Sequence, residues 1–365
     1  MTAHLFTPFR MNGVTFSNRI VVAPMCQYSA HEGTPGDWHL MHLGRYAVSG
    51  AGLVIVEATG VEPEGRITPL CTGLYSDENE AAFARILAFC RTVGPAKFGI
   101  QLSHAGRKGS TIAPWDGGGP VEGADAWRPD APSPIPYLES WETPTALDEE
   151  GMARVKGAFA ASTERATRLG FDYVELHAAH GYLLHQFLSP LTNRRDDVYG
   201  GSLEARMRFI LECFDAVRAA FPEDKPVAVR LSATDWVPGG WDLPQSVTLA
   251  KALKARGCAA IHVTSGGLRQ DQKIETGPGY QLGFAETIRQ EAGIATIAVG
   301  QITEPIQAET LVRTGQADMV AMARAMLWDP HWVWKAAVAL DAEITLPAPY
   351  ARAHPALRAK PFVKR

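Results

Sequence analysis

Short runs of apolar residues recur along the whole chain and are separated by longer amphipathic stretches. Eight of these runs are rich in β-branched residues, are apolar at successive rather than alternate positions, and end in polar residues or glycine. Strands of a buried parallel sheet have this pattern. We therefore predict strands at 19–23, 53–57, 98–102, 173–177, 227–232, 260–264, 296–299 and 319–321.

Helical periodicity lies between the strands, and several of the helices have clear start signals. Asp148 and Ser202 are good N-caps, and Pro305 suits a first helical turn. Eight strands with interleaved helices predict a single α/β domain, a (β/α)8 TIM barrel over residues 1–345. The predicted helices include 148–169, 202–220, 244–256, 304–314 and 330–340.

An open, doubly wound sheet is the alternative to a barrel. Such a sheet usually has fewer strands and a GxGxxG fingerprint after its first strand. Here the first strand is followed by Pro24, Met25 and Cys26, so the sequence favours the barrel.

Residues 111–146 depart from the alternation of strands and helices. They are rich in Pro, Gly and Asp and contain Trp115, Trp127 and Trp141. A loop this long is usually functional or disordered, and three tryptophans favour an ordered surface. The segment follows the third strand, so we predict a lid or a subunit contact at the carboxyl end of the barrel.

Composition and charge narrow the class of protein. The formal net charge of −4 gives no electrostatic footprint for nucleic acid or for an anionic membrane. No apolar run approaches the ~20 residues that span a bilayer, and no secretory signal begins the chain, so we expect a cytoplasmic protein. The five cysteines are widely spaced without a CxxC pair, which argues against a disulfide framework, a zinc finger or an iron–sulfur cluster.

Polar residues at the carboxyl ends of barrel strands are the functional candidates. His177 and His180 lie three residues apart, with only alanines between them. They are interpreted as two donors for a substrate oxygen, as metal ligands, or as structural histidines; no third ligand or HExxH context supports a metal site. Tyr182 is a candidate general acid, because a phenol keeps its proton at neutral pH.

Three further positions suggest a bound cofactor. Cys26 is a nucleophile, a packed thiol or a weak hydrogen-bond partner of a cofactor edge. Arg230 faces into the barrel, where a permanent cation suits an anion formed during turnover. Gly300 and Arg324 follow strands seven and eight, where barrels commonly hold a phosphate. A phosphorylated cofactor is therefore expected, and FMN is the natural candidate.

At this point the sequence resembles a known family, the old yellow enzyme family of FMN-dependent ene-reductases, and specifically its thermophilic-like (class III) bacterial branch. The resemblance covers nearly the whole chain, and its most specific part is HAAHGYLLHQFLSPLTNRRDDVYGGSLEARMRF at 177–209. The other matching segments are NRIVVAPMCQYSA (18–30), GLVIVEATGVEPEGRITP (52–69), GIQLSHAGRKGS (99–110) and RLSATDW (230–236).

The resemblance implies a role for each matching residue. His177 and His180 would bind the substrate oxygen, Tyr182 would supply the proton, and Tyr28 would line the substrate pocket. Ala323 stands where many relatives have glycine, which adds a methyl group near the phosphate. The FMN would be held by Pro24, Met25, Cys26, Ala58, Gln101, Arg230, Gly300, Gln301, Ala323 and Arg324.

The implied activity is reduction of activated C=C bonds in enones, maleimides and nitroalkenes, with NADPH or NADH as hydride donor. The alternatives are another FMN barrel such as a dihydroorotate-type dehydrogenase, a metal-dependent barrel hydrolase using His177 and His180, and a catalytically inactive binding barrel. The HAAHGY segment counts against the dihydroorotate type. No C-terminal cysteine cluster or second nucleotide domain is seen, which disfavours the larger dienoyl-CoA reductase and amine dehydrogenase relatives.

Residues 346–365 are predicted to form an extended C-terminal arm, because Pro347 and Pro349 stiffen it. In the branch that this chain resembles, a Tyr-x-Arg near the C-terminus places an arginine in the partner's pocket. Tyr350, Ala351 and Arg352 fit that spacing, so we expect Arg352 to contact substrate across a homodimer or a dimer of dimers. The alternative is a solvated basic tail.

Overall fold

The computed structural model describes residues 3–355 and contains a closed barrel of eight parallel strands. Neighbouring strands follow the chain order, and β8 closes the barrel by pairing with β1 through Val320 and Ile20. The predicted (β/α)8 barrel is confirmed. Its strands are β1 (Ile20–Val22), β2 (Leu53–Gly60), β3 (Lys97–Ser103), β4 (Tyr173–Ala178), β5 (Val227–Ser232), β6 (Ala260–Thr264), β7 (Ala295–Ala298) and β8 (Met319–Met322).

Helices surround the barrel and bury one face against the strands. The Ser202 hydroxyl accepts a hydrogen bond from Ala205 N, and the Asp148 carboxylate accepts one from Gly151 N, as N-caps do. The helices are α1 (Asp37–Ala47), α2 (Asp77–Val93), α3 (Glu149–Arg168), α4 (Leu183–Leu188), α5 (Leu203–Ala220), α6 (Leu243–Ala255), α7 (Leu282–Ala292), α8 (Pro305–Arg313), α9 (Arg324–Trp328) and α10 (Trp332–Ala339). None of the helices in residues 3–355 combines the length and apolarity needed to cross a membrane.

An N-terminal hairpin covers the amino end of the barrel. Its strands, Phe9–Met11 and Val14–Phe16, are antiparallel. Met11 and Phe16 are buried in one apolar cluster with inward-facing residues of the barrel strands. The hairpin was not predicted, because a three-residue strand is too short to show a reliable period.

The second barrel strand contains a bulge next to the site. Val56 pairs with Ile100 but Ala58 pairs with Gln101, so Glu57 is an extra residue in β2. The strand runs to Gly60, three residues past its predicted end. Bulges often re-aim side chains beside active sites. Here the bulge sets Ala58 against Gln101, and the Glu57 carboxylate accepts a hydrogen bond from Gln27 N.

Segment 111–146 is built from short turns and one pair of two-residue strands, Asp130–Ala131 and Thr145–Ala146. Arg154 of α3 anchors it by an ion pair with Asp130 at 2.6 Å. The Trp115 ring lies 5.6 Å from the ring of Tyr28, yet Trp115 is 66% exposed. The segment thus reaches the mouth of the site, and its role as a lid stays a prediction.

The C-terminal segment differs from the predicted extended arm. Ala348–Ala353 form a 3₁₀ helix, so the prediction of an extended conformation is wrong for these residues. The fixed φ of proline is compatible with a first helical turn, which explains the error. The Tyr350 ring lies 6.0 Å from the Trp334 ring of α10. Arg358, Lys360, Lys364 and Arg365 of the predicted basic tail lie outside the described residues.

Candidate active site

The histidine pair lies at the carboxyl end of β4. His177 Nε2 and His180 Nδ1 are 3.3 Å apart, and the Tyr182 ring lies edge-on at 5.0 Å from the His177 ring. His180 has a φ of +58°, which is uncommon for a residue other than glycine. Lys108 Nζ donates to the His180 carbonyl oxygen at 2.8 Å, and the His180 backbone N–H donates to the Ser232 hydroxyl at 2.9 Å. These bonds hold the left-handed conformation, which places the His180 ring edge-on to the His177 ring at 5.1 Å.

Burial determines the protonation of these groups. It holds the pKa values of His177 and His180 well below their usual range, and the nearby Arg230 cation adds to the effect. Burial raises the pKa of Tyr182 well above its usual value. At neutral pH the site therefore contains two neutral imidazoles and one protonated phenol.

Cys26 belongs to a small apolar cluster on the same side of the pocket. Cys71, Ile67 and Ala105 form its buried part, with Cys26, Tyr28 and Tyr182 packed against them. Burial raises the pKa of the Cys26 thiol well above its usual value. A protonated thiol is a poor nucleophile, so the geometry favours packing or a weak hydrogen bond over nucleophilic catalysis.

Arg230 is the buried cation of the site. Its Nε atom has no hydrogen-bond partner among residues 3–355, and burial lowers its pKa although Glu175 opposes the shift. A buried donor of this kind is costly unless a bound group accepts from it. Arg230 therefore fits an electron-rich, partly anionic ligand in the barrel mouth.

Sequence reasoning missed the carboxylate below this arginine. Glu175 accepts hydrogen bonds from Gln101 Nε2 at 2.7 Å and from the Tyr173 hydroxyl at 2.8 Å, and it lies 3.0 Å from His262 Nδ1. The bond from Gln101 fixes the orientation of its amide. An acidic residue in an otherwise apolar strand was the available signal, because a buried charge needs partners.

A cavity of about 460 Å³ lies at the carboxyl ends of β6, β7 and β8. Gly300 has a φ of +142°, and a Cβ there would lie 3.1 Å from Gln281 Nε2, so the position suits only glycine. Backbone and arginine donors at this place match a phosphate site. Its lining includes Thr264, Gln281, Gly300, Gln301, Ala323 and Arg324.

The structure brings most of the predicted site residues together. Pro24 and Met25 follow β1, Ala58 lies in β2 beside Gln101, and Tyr28 joins the Cys26 cluster. Arg352 is the exception. It lies in the 3₁₀ helix packed beside α10, on the outside of the barrel.

The geometry gives little support to a metal site at His177 and His180. Among the described residues, the one group of three possible ligands is Glu62, His104 and Asp130, without His177 or His180. Arg154 forms ion pairs with both of those carboxylates, so a guanidinium already balances their charge.

A parallel barrel with a cavity suited to a phosphate, a buried arginine whose Nε has no partner among residues 3–355, and a pair of neutral histidines suits a flavin-dependent oxidoreductase. Comparison with known proteins agrees. The family described as NADH:flavin oxidoreductase / NADH oxidase matches residues 4–343, and the chain belongs to that family. It is thus an oxidoreductase that uses FMN and NAD(P)H, and the resemblance to the old yellow enzymes is confirmed.

Individual relatives cover nearly the whole chain. The chain is 44% identical to an NADPH dehydrogenase of Geobacillus sp. (strain WCH70) over 96% of its own length and 99% of the relative's. It is 42% identical to an NADPH dehydrogenase of Bacillus subtilis (strain 168), with the same two coverages. A solved morphinone reductase superposes with a TM-score of 0.77 at 29% identity, covering 96% of this chain and 92% of that one.

Proposed function

We propose that the protein is an ene-reductase that reduces C=C bonds activated by a carbonyl or nitro group. The observation that carries the proposal is the convergence of His177 Nε2 and His180 Nδ1, 3.3 Å apart, beside the hydroxyl-bearing ring of Tyr182. Two donors and one acid at this spacing suit a substrate whose oxygen gains charge while a neighbouring carbon gains a proton.

The histidine pair would polarise the substrate. A neutral imidazole can donate to a carbonyl or nitro oxygen without placing a permanent charge in the pocket. The donors would become more effective as negative charge develops on that oxygen, which lowers the barrier rather than only tightening binding. The low pKa values of both histidines support this neutral, donating form.

Tyr182 would protonate the α-carbon of the alkene. Its raised pKa means that the phenol stays protonated until a strong carbanion forms beside it. The Lys108 ammonium lies 5.0 Å from the Tyr182 ring centre, where it would stabilise the phenolate left after transfer.

The remaining polar groups would hold the FMN. Arg230 would neutralise the pyrimidine edge, Gln101 would bind the same edge with the amide that Glu175 orients, and Gly300 and Arg324 would bind the phosphate. When bound, the flavin supplies the redox chemistry by accepting hydride from NAD(P)H and delivering it to the β-carbon. The unpartnered Arg230 Nε and the cavity beside Gly300 support this placement.

The test is anaerobic NAD(P)H oxidation with maleimide, cyclohexenone and a nitroalkene as acceptors. We expect turnover with the wild type and a large loss of acceptor-dependent turnover in His177→Ala. His4→Ala is the control, since His4 is an exposed residue of the N-terminal 3₁₀ turn His4–Phe6. Flavin that is reduced by NAD(P)H but reoxidised by none of these alkenes would contradict the proposal and favour another FMN barrel dehydrogenase.

We also propose that the active unit is a homodimer, alone or within a dimer of dimers, in which Arg352 contacts the partner's substrate. The 3₁₀ helix that carries it borders a groove of about 750 Å³ on the outside of the barrel. Met41 and Phe89 line that groove and are both more than 40% exposed, as a subunit contact requires.

Mixed dimers test this arrangement. Arg352→Ala should weaken substrate binding without changing FMN content. In a heterodimer of Arg352→Ala and His177→Ala subunits, one site should recover wild-type residues if the arm crosses between subunits. If mixing the two variants restores no activity, the proposal that Arg352 reaches the partner's substrate is wrong.

A further inference from the structure

A continuous chain of hydrogen bonds links the histidine pair to the cavity at β6–β8. His180 Nε2 lies 3.1 Å from Thr264 Oγ1, and the Thr264 hydroxyl donates to Gln281 Oε1 at 3.2 Å. Gln281 Oε1 also accepts from the Ser265 hydroxyl at 2.6 Å. The Gln281 oxygen thus has two donors, and it stays satisfied if Thr264 turns away.

The direction of this chain determines where His180 carries its hydrogen. Ala179 N–H donates to His177 Nδ1 at 3.3 Å, so a neutral His177 carries its hydrogen on Nε2. That hydrogen points at His180 Nδ1, which accepts it. His180 then carries its own hydrogen on Nε2 and donates to Thr264. In this arrangement His180 Nδ1 is an acceptor occupied by His177, and His180 offers no donor to the pocket.

A lone pair at that position opposes the proposed substrate clamp, because it would repel a carbonyl oxygen. The other neutral tautomer, with hydrogen on Nδ1, would complete a pair of donors. Its Nε2 must then accept a hydrogen bond, since a buried unpaired acceptor is costly. Among the described residues, the Thr264 hydroxyl is the hydrogen-bond partner of that nitrogen.

We infer that Thr264 is a positioning residue whose hydroxyl allows His180 to change tautomer when a substrate oxygen arrives. The inference rests on the proposed function for the position of that oxygen. The ring releases one proton from Nε2 to water and takes one from water at Nδ1, so its charge stays zero. Before the change, three hydrogen bonds run from His177 to His180, from His180 to Thr264 and from Thr264 to Gln281. After it there are again three, because His177 and His180 donate to the oxygen and Thr264 donates to His180.

Nitrogen NMR on the FMN holoenzyme, labelled with ¹⁵N-histidine, tests the tautomer directly. A para-substituted phenol serves as the probe, because its oxygen resembles the charged oxygen of the reacting substrate. We expect the His180 hydrogen on Nε2 in the free enzyme and on Nδ1 in the phenol complex. His185 is an internal control: its Nδ1 accepts from Gly181 N and its Nε2 lies 2.8 Å from Asp235, so its tautomer should not change.

Two substitutions then separate the hydroxyl from the shape of Thr264. Thr264→Val should raise the phenol dissociation constant about tenfold, the effect of one hydrogen bond to a buried acceptor. Thr264→Ser should bind like the wild type, with FMN content measured in both.

The outcomes distinguish the two proposals. A phenol that does not bind the wild type would count against the histidine clamp and therefore against the inference as well. A phenol that binds while His180 keeps one tautomer, or that binds Thr264→Val as tightly as the wild type, would overturn the role of Thr264 alone.

Discussion

The inward-facing residues of β4, β5 and β6 change character from one end of the barrel to the other. At the amino end, Tyr173, Ala228 and Ala260 belong to the apolar cluster that the N-terminal hairpin covers. Two residues further along each strand, in what we call the middle layer, are Glu175, Arg230 and His262. Two residues further again, in the upper layer, are His177, Ser232 and Thr264, and the strand register sets Arg230 opposite His177. Side chains of alternate residues share a face, so each layer is two residues above the last.

This difference shows that burial alone does not distinguish core residues from active-site residues. All nine of these residues are buried, but the apolar contacts of the lowest layer stabilise the fold, whereas the middle layer buries charged groups. Arg230 has its pKa lowered by burial, a sign that the fold tolerates an unfavourable environment there. We therefore expect substitutions low in the barrel to change stability and those high in the barrel to change binding and chemistry.

The largest expected effect is on stability, at the closed end of the barrel. Phe16→Ala removes a fully buried ring of the hairpin and should lower the free energy of unfolding by about 3–5 kcal/mol. Urea denaturation of the FMN holoenzyme measures this loss. The rate of flavin reduction by NAD(P)H should be unchanged, because no site residue is touched.

Thr15→Ala is the matched control, since Thr15 is an exposed neighbour in the same hairpin strand. It should cost less than about 0.5 kcal/mol. A Phe16→Ala enzyme of normal stability, or one with slow flavin reduction, would contradict the separation of the two ends.

The strands of this barrel could be predicted closely from the sequence, for a physical reason. Buried parallel strands are apolar at most successive positions, and all eight begin within one residue of the predicted start. Only β2 ends more than one residue from its predicted end, because the bulge at Glu57 lengthens it. The hairpin and the 3₁₀ helix at Ala348–Ala353 were missed, since their few residues carry no period.

The middle and upper layers could be predicted in part. His177 and Arg230 follow from their place at or near strand ends, and the family resemblance supplied the rest. Glu175 and His262 were missed, although they occupy inward positions two residues from Tyr173 and Thr264. The role of each depends on the other, because the Glu175 carboxylate on β4 and the His262 imidazole on β6 share a hydrogen bond. A single sequence does not reveal such a pairing.

The next largest effect is expected for the proton donor in the upper end of the barrel. Tyr182→Phe should slow reoxidation of the reduced flavin by an enone about 10²–10³-fold, the usual contribution of a general acid. Reduction by NAD(P)H should change little, since it needs no proton from Tyr182. Stopped-flow absorbance follows both half-reactions. Tyr28→Phe is the control, because Tyr28 packs in the same cluster; equal slowing of both half-reactions in Tyr182→Phe would remove the assignment.

A smaller effect is expected at the edge of the phosphate cavity. Arg324→Ala should raise the FMN dissociation constant about 10–100-fold, the usual effect of losing a charge-assisted hydrogen bond. Fluorescence titration of the apoprotein with FMN gives this constant. Arg256→Ala removes an exposed arginine that pairs with Asp215 and should have no effect. Unchanged FMN affinity in Arg324→Ala would move the phosphate away from α9.

The smallest expected effect concerns Cys26, which lies between the apolar cluster and the proposed flavin site. Its thiol is protonated, since burial raises its pKa well above the usual value, and can donate a weak hydrogen bond. A carbonyl oxygen on the flavin edge becomes more electron-rich on reduction, so a bond from the thiol to that oxygen would favour the reduced form. Cys26→Ala should therefore lower the two-electron reduction potential by about 10–20 mV, which corresponds to about 0.5–1 kcal/mol. Spectroscopic titration against a reference dye resolves such a shift.

Cys71→Ala is the control for this prediction. Cys71 packs in the same cluster, but its sulfur accepts a hydrogen bond from Thr68 N at 3.3 Å, so the substitution should leave the potential unchanged. Equal shifts in the two variants would mean that Cys26 acts only by packing.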